Sequence, residues 1–354
     1  MMPPEFSKSP TMEMFETEKD VVQTPSVSKN TRNGQKSWKN LWYYFGEQDL
    51  KWFNIFLLFT IHGYVLYVLL VVHKFIGSLL IFHFFYTQFS GFGITGGAHR
   101  YYTHKAFKAK IPLRIIMMLG FTSTGQNSIF HWVRDHRVHH KFSDTDADPH
   151  NAARGFFFSH CGWLLMKKHP DVIEQGKKVD MTDVLEDPVV QFHEKYFVPL
   201  WLIFCHIIPI VTPWYFLNVD LLDCFNYQMV RWVFTVNVTW SVNSAAHLWG
   251  NRPYDKSIYP AENRLVSLLG FGEGWHNYHH TFPWDYKAAE LSWWLNTTGI
   301  YLNFFRAVGW AYDLKTPSKE LIERIVRKTG DGSHFRWGQE VLEEEEERVL
   351  LKEE

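Results

Sequence analysis

The sequence predicts an all-α integral membrane protein, with four transmembrane helices in two hairpins and a helical cytosolic cap that holds a metal site. Three observations predict it. Four apolar stretches have membrane-spanning length, basic residues crowd to one side of them, and nine histidines fall in four groups at their ends or in the polar segments beside them.

Residues 53–72 (FNIFLLFTIHGYVLYVLLVV), 75–98 and 197–217 are the clear spans. Each is long enough to cross a hydrocarbon layer of ~30 Å at about 1.5 Å per residue. Residues 228–247 make a weaker fourth span, interrupted by Arg231, Asn237 and Asn243. Residues 1–40 carry Pro, Ser, Glu and Lys without an apolar core and read as a disordered cytosolic tail. The organisation expected is therefore a tail (1–40), a first hairpin (41–98), a polar segment (99–196), a second hairpin (197–247), a second polar segment (248–330) and an acidic tail (331–354). The glutamate run 343–347 in that last tail reads as a solvated helical face.

Charge sets the orientation. Segment 99–196 carries fourteen Lys or Arg residues, whereas the 218–227 connector carries none. The positive-inside bias places both termini and segment 99–196 in the cytosol. All four histidine groups then land on the same side. A helix running from residue 75 to His99 would rise roughly 36 Å, which lifts His99 and His104 above the hydrocarbon core.

The bulk composition agrees and excludes other classes. A net charge of -1 gives no electrostatic reason to bind nucleic acid. An aromatic share of 18%, with 16 Trp and 30 Phe, suits a chain that meets lipid and its interfaces. Cys161, Cys205 and Cys224 form neither a disulfide framework nor a CxxC site, as expected in a reducing, cytosol-facing setting.

The histidines carry the chemistry. They are His99 and His104; His136, His139 and His140; His247; and His276, His279 and His280. The second and fourth groups repeat HxxHH, a spacing that puts three imidazoles on one face of a helix. Together the nine offer enough nitrogen for two metal ions. Imidazole suits iron, copper, zinc and nickel alike. A structural zinc site closes with four ligands, typically including cysteine, so nine histidines exceed it. Carboxylate-bridged iron sites on helical bundles use Glu and Glu-x-x-His pairs, which do not accompany these boxes. A pair of irons held almost wholly by histidine is the more natural reading, and a zinc-stapled scaffold is the bland alternative.

The stretches GAHRYYTH (97–104), WVRDHRVHHKFSDTDADPHN (132–151), NSAAHLWGNRPYDK (243–256) and GEGWHNYHHTFPWDYK (272–287) resemble the membrane acyl-CoA desaturases, the stearoyl-CoA type and its insect branch above all. The likeness spans roughly residues 40–330 and includes the order and separation of the boxes. It implies that the nine histidines ligate two Fe2+ ions, with Asn243 holding a further metal-bound water. It also implies that Trp132, Gln126 and Thr239 shape the bend of an acyl tunnel, and that Asn54, Asn127, Arg134, Asp135 and Lys168 bind the CoA head group. Arg and Lys are natural phosphate partners. The implied reaction is dioxygen-dependent formation of a cis double bond, at Δ9 in the first instance, in a saturated long-chain acyl-CoA. Two electrons would come from cytochrome b5 and its NADH-dependent reductase, at the endoplasmic reticulum membrane.

Some positions depart from the family pattern. Lys167 and Phe53 stand where relatives often carry Arg, and His131 replaces a Glu. Thr87 and Gly91 lie where the tunnel end often has a large aromatic and an Ala. Smaller residues there are expected to lengthen or widen the tunnel. The stretch 259–262 lies where insect subgroups vary with regiochemistry.

Two other functions compete. A histidine-box lipid hydroxylase shares the iron chemistry and differs in adding oxygen. A divalent-metal transporter would need ligands near the membrane midplane, whereas these boxes fall at span ends. The remaining histidines have blander readings: His62, His73, His83 and His206 as packing or interface residues, and His131, His150, His160, His169, His193 and His334 as structural or exposed. Asp144-Thr-Asp146-Ala-Asp148 imitates a calcium loop but lacks its Gly and Glu, so a turn or helix cap is expected there.

Overall fold

The computed structural model describes residues 49–72, 74–290 and 295–338. The expectations for the 1–40 tail, for His73 and for the glutamate run lie outside them. The chain is mostly helical, and among the described residues one two-residue strand pair is the only sheet.

Helix α1, Trp52–Tyr67, continues in widened turns to Val72, giving an apolar rod of 21 residues. Its side chains face outward: Trp52, Phe53 and Phe56 are each 71% exposed, an apolar surface that water would not tolerate. Helix α2, Gly77–Phe92, runs on without a break into π-helical turns over Gly93–Thr103. Strand β1 (Lys108–Ala109) leads into α3 (Ile111–Thr122) and α4 (Ile129–Phe142). After a segment of short helical turns come α5 (Pro170–Lys178) and, past one more such turn, α6 (Pro188–Lys195), then a second apolar rod, α7, Phe197–Leu217, again 21 residues. Helix α8 (Leu221–Asn243) is followed by α9 (Ala245–Leu248), α10 (Arg264–Leu269) and α11 (His276–Thr281). Helix α12 (Thr297–Ala307), strand β2 (Ala311–Tyr312), which pairs antiparallel with β1, and α13 (Lys319–Thr329) complete the fold.

Helices α1 and α7 are the two that are long and apolar enough to cross a membrane. Helices α2 and α8 pack against each other and both touch α7, and α8 also touches α1. Helix α2 is completely covered over residues 90–100. Its close crossing with α3 depends on Gly93, where a Cβ would sit 2.0 Å from the Phe121 backbone nitrogen. No residue with a side chain fits there.

The fourth apolar stretch differs from expectation at both ends. Helix α8 starts at Leu221, not 228, because the Asp220 carboxylate accepts the Leu222 N–H at 2.9 Å and the Asp223 N–H at 3.4 Å as an N-cap. It stops at Asn243, so His247 rides on the separate short helix α9. Within α8 the buried Arg231 donates to Gln228 Oε1 (2.8 Å), Ser90 Oγ (3.1 Å) and the Ser123 carbonyl (3.3 Å). That polar cage lets a guanidinium occupy an apolar helix layer. All three cysteines are free thiols.

A candidate metal centre built from four histidine groups

Four elements deliver the nine histidines to one place. His99 and His104 come from the end of α2. Five residues apart, they would sit about 140° apart on an ordinary α-helix. The π turns, bonded from residue i to i+5, bring them to one side; His104 N–H donates to the His99 carbonyl (3.2 Å), and their rings lie 4.9 Å apart. Helix α4 supplies His136, His139 and His140, α9 supplies His247, and α11 supplies His276, His279 and His280.

They sort into two clusters: His99, His104, His136, His140 and His279 in one, and His139, His247, His276 and His280 in the other. Within each, one ligand atom per residue lies within 4.8 Å of all the others. The clusters adjoin, since the His140 and His280 rings stack with centroids 4.2 Å apart. Six of the nine are buried and the other three partly so.

The nitrogens meet as metal ligands do. His99 Nε2 stands 2.9 Å from His279 Nε2, which is 3.0 Å from His140 Nε2. His276 Nε2 stands 3.1 Å from His247 Nε2 and 3.2 Å from His280 Nε2. Two nitrogens about 2.1 Å from a shared ion, at right angles around it, stand roughly 3 Å apart. The Nε2 atoms of His104, His136 and His139 are buried without a hydrogen-bond partner among the described residues. An ion in each cluster satisfies atoms that protein groups leave orphaned. The residues fit a pair of metal ions.

Carboxylates set the rings. Glu273 Oε2 lies 2.8 Å from His99 Nδ1 while its Oε1 takes Arg100 at 2.8 Å. Both oxygens of Asp148 lie 2.9 Å from His139 Nδ1. Asp144 Oδ2 lies 3.1 Å from His247 Nδ1. Burial alone would raise these acids, but His99 and Arg100 hold Glu273 down to about 2, and His139 holds Asp148 to about 2. Ionised carboxylates only accept, so each fixes the proton on Nδ1 and turns the Nε2 lone pair towards the ion. Burial and the crowding of other imidazoles push His104, His136, His140, His276, His279 and His280 well below the usual histidine range, which keeps them neutral and able to ligate.

Sequence reasoning missed these three acids as partners of the ligands. The Asp144–Asp148 stretch does form the expected turn, with Asp148 accepting the Asp144 N–H at 2.7 Å. The same carboxylates also reach two histidines. Glu273 was in plain sight in GEGWHNYHH, three residues before His276. Buried Asn277 adds a further link, accepting the Tyr254 N–H (2.9 Å) and donating to the Asp255 and Pro260 carbonyls (2.9 Å each). It thereby ties the RPYDK loop to α11.

The other expected site residues are spread around the clusters. Asn243 ends α8, half-buried, four residues before His247. Trp132 stacks on His136 at 4.8 Å. Gln126 Nε2 donates to Thr239 Oγ1 at 3.0 Å, joining two residues expected at one bend. Asp135 binds Lys168 (2.8 Å) and Arg134 (3.1 Å). Burial would raise its carboxyl, but the two cations hold it well below the usual range. Lys168 also lines a small groove with Lys167, Arg154 and His169, and with the acids Asp146 and Asp148. Asn54 Nδ2 donates to the Leu164 carbonyl (2.8 Å), while Asn127 is exposed, with φ 70°, at the entry to α4. Thr87 is half-buried on α2. At Gly91 the expected extra room is absent: a Cβ there would lie 2.4 Å from the Phe271 ring, which fills the space. Among the described residues, none of the histidines outside the four groups joins either cluster.

The fatty acid desaturase family model matches residues 74–296. The chain is 53% identical over 294 residues to an acyl-CoA Delta-9 desaturase of Acheta domesticus, covering 82% of each chain. It is also 53% identical over 255 residues to an acyl-CoA Delta(11) desaturase of Trichoplusia ni, covering 72% of this chain and 73% of that one. Against stearoyl-CoA desaturase 5 of Bos taurus the identity is 48% over 287 residues, 81% of this chain and 86% of the other. With the matched region enclosing all nine clustered histidines, this chain belongs to the fatty acid desaturase family and is a membrane protein.

Proposed function

We propose that this protein is an acyl-CoA desaturase that converts one CH2–CH2 unit of a saturated long-chain acyl-CoA to a cis CH=CH unit, at Δ9. One dioxygen, two electrons and two protons are consumed and two waters released. The observation that carries the reading is the pair of adjoining all-histidine clusters, each braced by ionised carboxylates.

The nine histidines would hold two irons in this reading, and Asn243 would hold a further metal-bound water. Bound iron would activate the dioxygen that takes hydrogen from an unactivated methylene. The chain does the rest. Burial of the clusters excludes water, Trp132 forms a wall against His136, and the Gln126–Thr239 hydrogen bond braces the bend at which one CH2–CH2 unit is presented. Arg134, Asp135 and Lys168, with Asn54 and Asn127 near the entrance, receive the CoA head group. The gathering of Lys167, Lys168 and Arg154 at one groove, beside Asp146 and Asp148, supports that assignment. Electrons come from cytochrome b5 and its reductase.

The topology is four spans, α1, α2, α7 and α8, in two hairpins, with both termini and the metal centre on the cytosolic face of the endoplasmic reticulum membrane. The Delta-9 relative of Acheta domesticus supports the Δ9 position, and the Delta(11) relatives of similar identity make carbon 11 the alternative. The test is conversion of stearoyl-CoA and palmitoyl-CoA by purified, iron-loaded protein with cytochrome b5 and its reductase. Loss of two hydrogens with the double bond at carbon 9 is expected. A bond at carbon 11 corrects the position, and gain of one oxygen overturns desaturation in favour of hydroxylation.

A further inference from the structure

Phe271 occupies a position that its own backbone disfavours. Its φ is 61°, a left-handed conformation in which an aromatic residue is an outlier. Glycine would be the relaxed choice, so a bulky ring kept there is held by its surroundings. The Phe271 carbonyl accepts from the Thr298 N–H (3.4 Å) and lies 3.1 Å from the Thr298 hydroxyl. That hydroxyl is 2.6 Å from the Thr95 hydroxyl, which donates to the Gly91 carbonyl at 2.8 Å. The loop is thus buttoned to α2 beside Gly91. The ring lies flush on Gly91, filling the volume a side chain there would need. The preceding residue, Gly270, faces α8, where an added Cβ would lie 3.7 Å from Val238 and 3.9 Å from Val242. Two residues beyond Phe271, Glu273 grips His99.

One side chain therefore covers Gly91 of the second helix from a different element, and it is tied by a short, hydrogen-bonded segment to the metal centre. We propose that Phe271 closes the far end of the acyl tunnel, so that its ring, rather than residue 91, sets the longest saturated chain this enzyme accepts. The proposal rests on the desaturase reading above. Glycine at 91 does not lengthen the tunnel, because its missing side chain is replaced by a ring arriving from another element.

The test uses full-length protein in detergent, wild type beside Phe271→Ala and Phe271→Leu. Two quantities are read for saturated acyl-CoAs of 14 to 20 carbons: the melting-temperature rise each causes, and the product ratio from mixed substrates. Each buried methylene contributes about 0.8 kcal/mol, so two more accommodated carbons amount to roughly tenfold in relative preference. Phe271→Ala is expected to shift both readouts towards longer chains by about that factor, and Phe271→Leu by less in the same direction. Should Phe271→Ala not fold, Phe271→Leu decides alone. Unchanged chain-length ratios in a folded variant overturn the proposal. Wild-type protein that neither binds nor converts any acyl-CoA overturns the desaturase reading instead.

Discussion

The two histidine clusters use the same donor chemistry but are closed differently. The first gathers five imidazoles and is braced by one carboxylate, Glu273, which is shared with the fully buried Arg100. The second gathers four imidazoles and is braced by two, Asp144 and Asp148, from a single turn. Five nitrogens nearly fill an ion's coordination sphere, whereas four leave more of it open, and Asn243 ends α8 four residues before His247 of the four-nitrogen cluster. The boxes themselves are shared. His136 and His140 enter the first cluster and His139 the second, while His276 and His280 enter the second and His279 the first. Neither HxxHH box serves one cluster, so the clusters stand or fall together as a shape while differing in how each would grip an ion.

The largest expected effect comes from removing a ligand. His247→Ala, from the four-nitrogen cluster, should lower bound iron from two per chain towards one and reduce desaturation to background. His104→Ala, from the five-nitrogen cluster, should lose less iron, because four nitrogens remain. Iron analysis of the two purified variants decides the matter, and equal losses would show that the clusters bind as one cooperative unit. His276→Ala should likewise abolish turnover while the protein still inserts into membranes.

Next come the bracing acids. Asp144→Asn and Glu273→Gln should each weaken activity or iron affinity by about 10- to 100-fold. They should differ in stability. Glu273→Gln strips the buried Arg100 guanidinium of its charge partner, and breaking a buried pair costs about 3–5 kcal/mol. Asp144→Asn leaves no buried cation behind. Thermal unfolding in the metal-free state separates them, and equal melting temperatures would remove the structural role given to Glu273.

The smallest effect is expected away from the clusters. Arg134→Ala should raise KM for acyl-CoA several-fold with kcat little changed, since its guanidinium lies beside Asp135 and outside both clusters. A fall in kcat alone would contradict a head-group role.

Much of the site is legible in the residues themselves. The HxxHH spacing names the candidate ligands, because helical geometry puts such residues on one face wherever the helix goes. The two long apolar helices α1 and α7 are equally plain, because length and composition alone define a candidate span. The fourth stretch is misplaced by seven residues at its start. Hydropathy takes the polar Asp220–Asp223 region for a connector, whereas the cap made by Asp220 begins the helix there. The extra room expected at Gly91 fails for a related reason, since a missing side chain says nothing about what a distant loop inserts in its place.

Local sequence thus determined which nitrogens are available and which segments prefer an apolar surround, since both follow from side-chain chemistry and helical period. Tertiary structure alone decided how the nine imidazoles divide into five and four, why His99 and His104 face the same way, and which three acids orient them. Those outcomes depend on π turns, on one close crossing that only a glycine at position 93 permits, and on contacts between residues as much as 180 positions apart. No window of sequence contains the partners of such contacts, so only the packed chain can choose them.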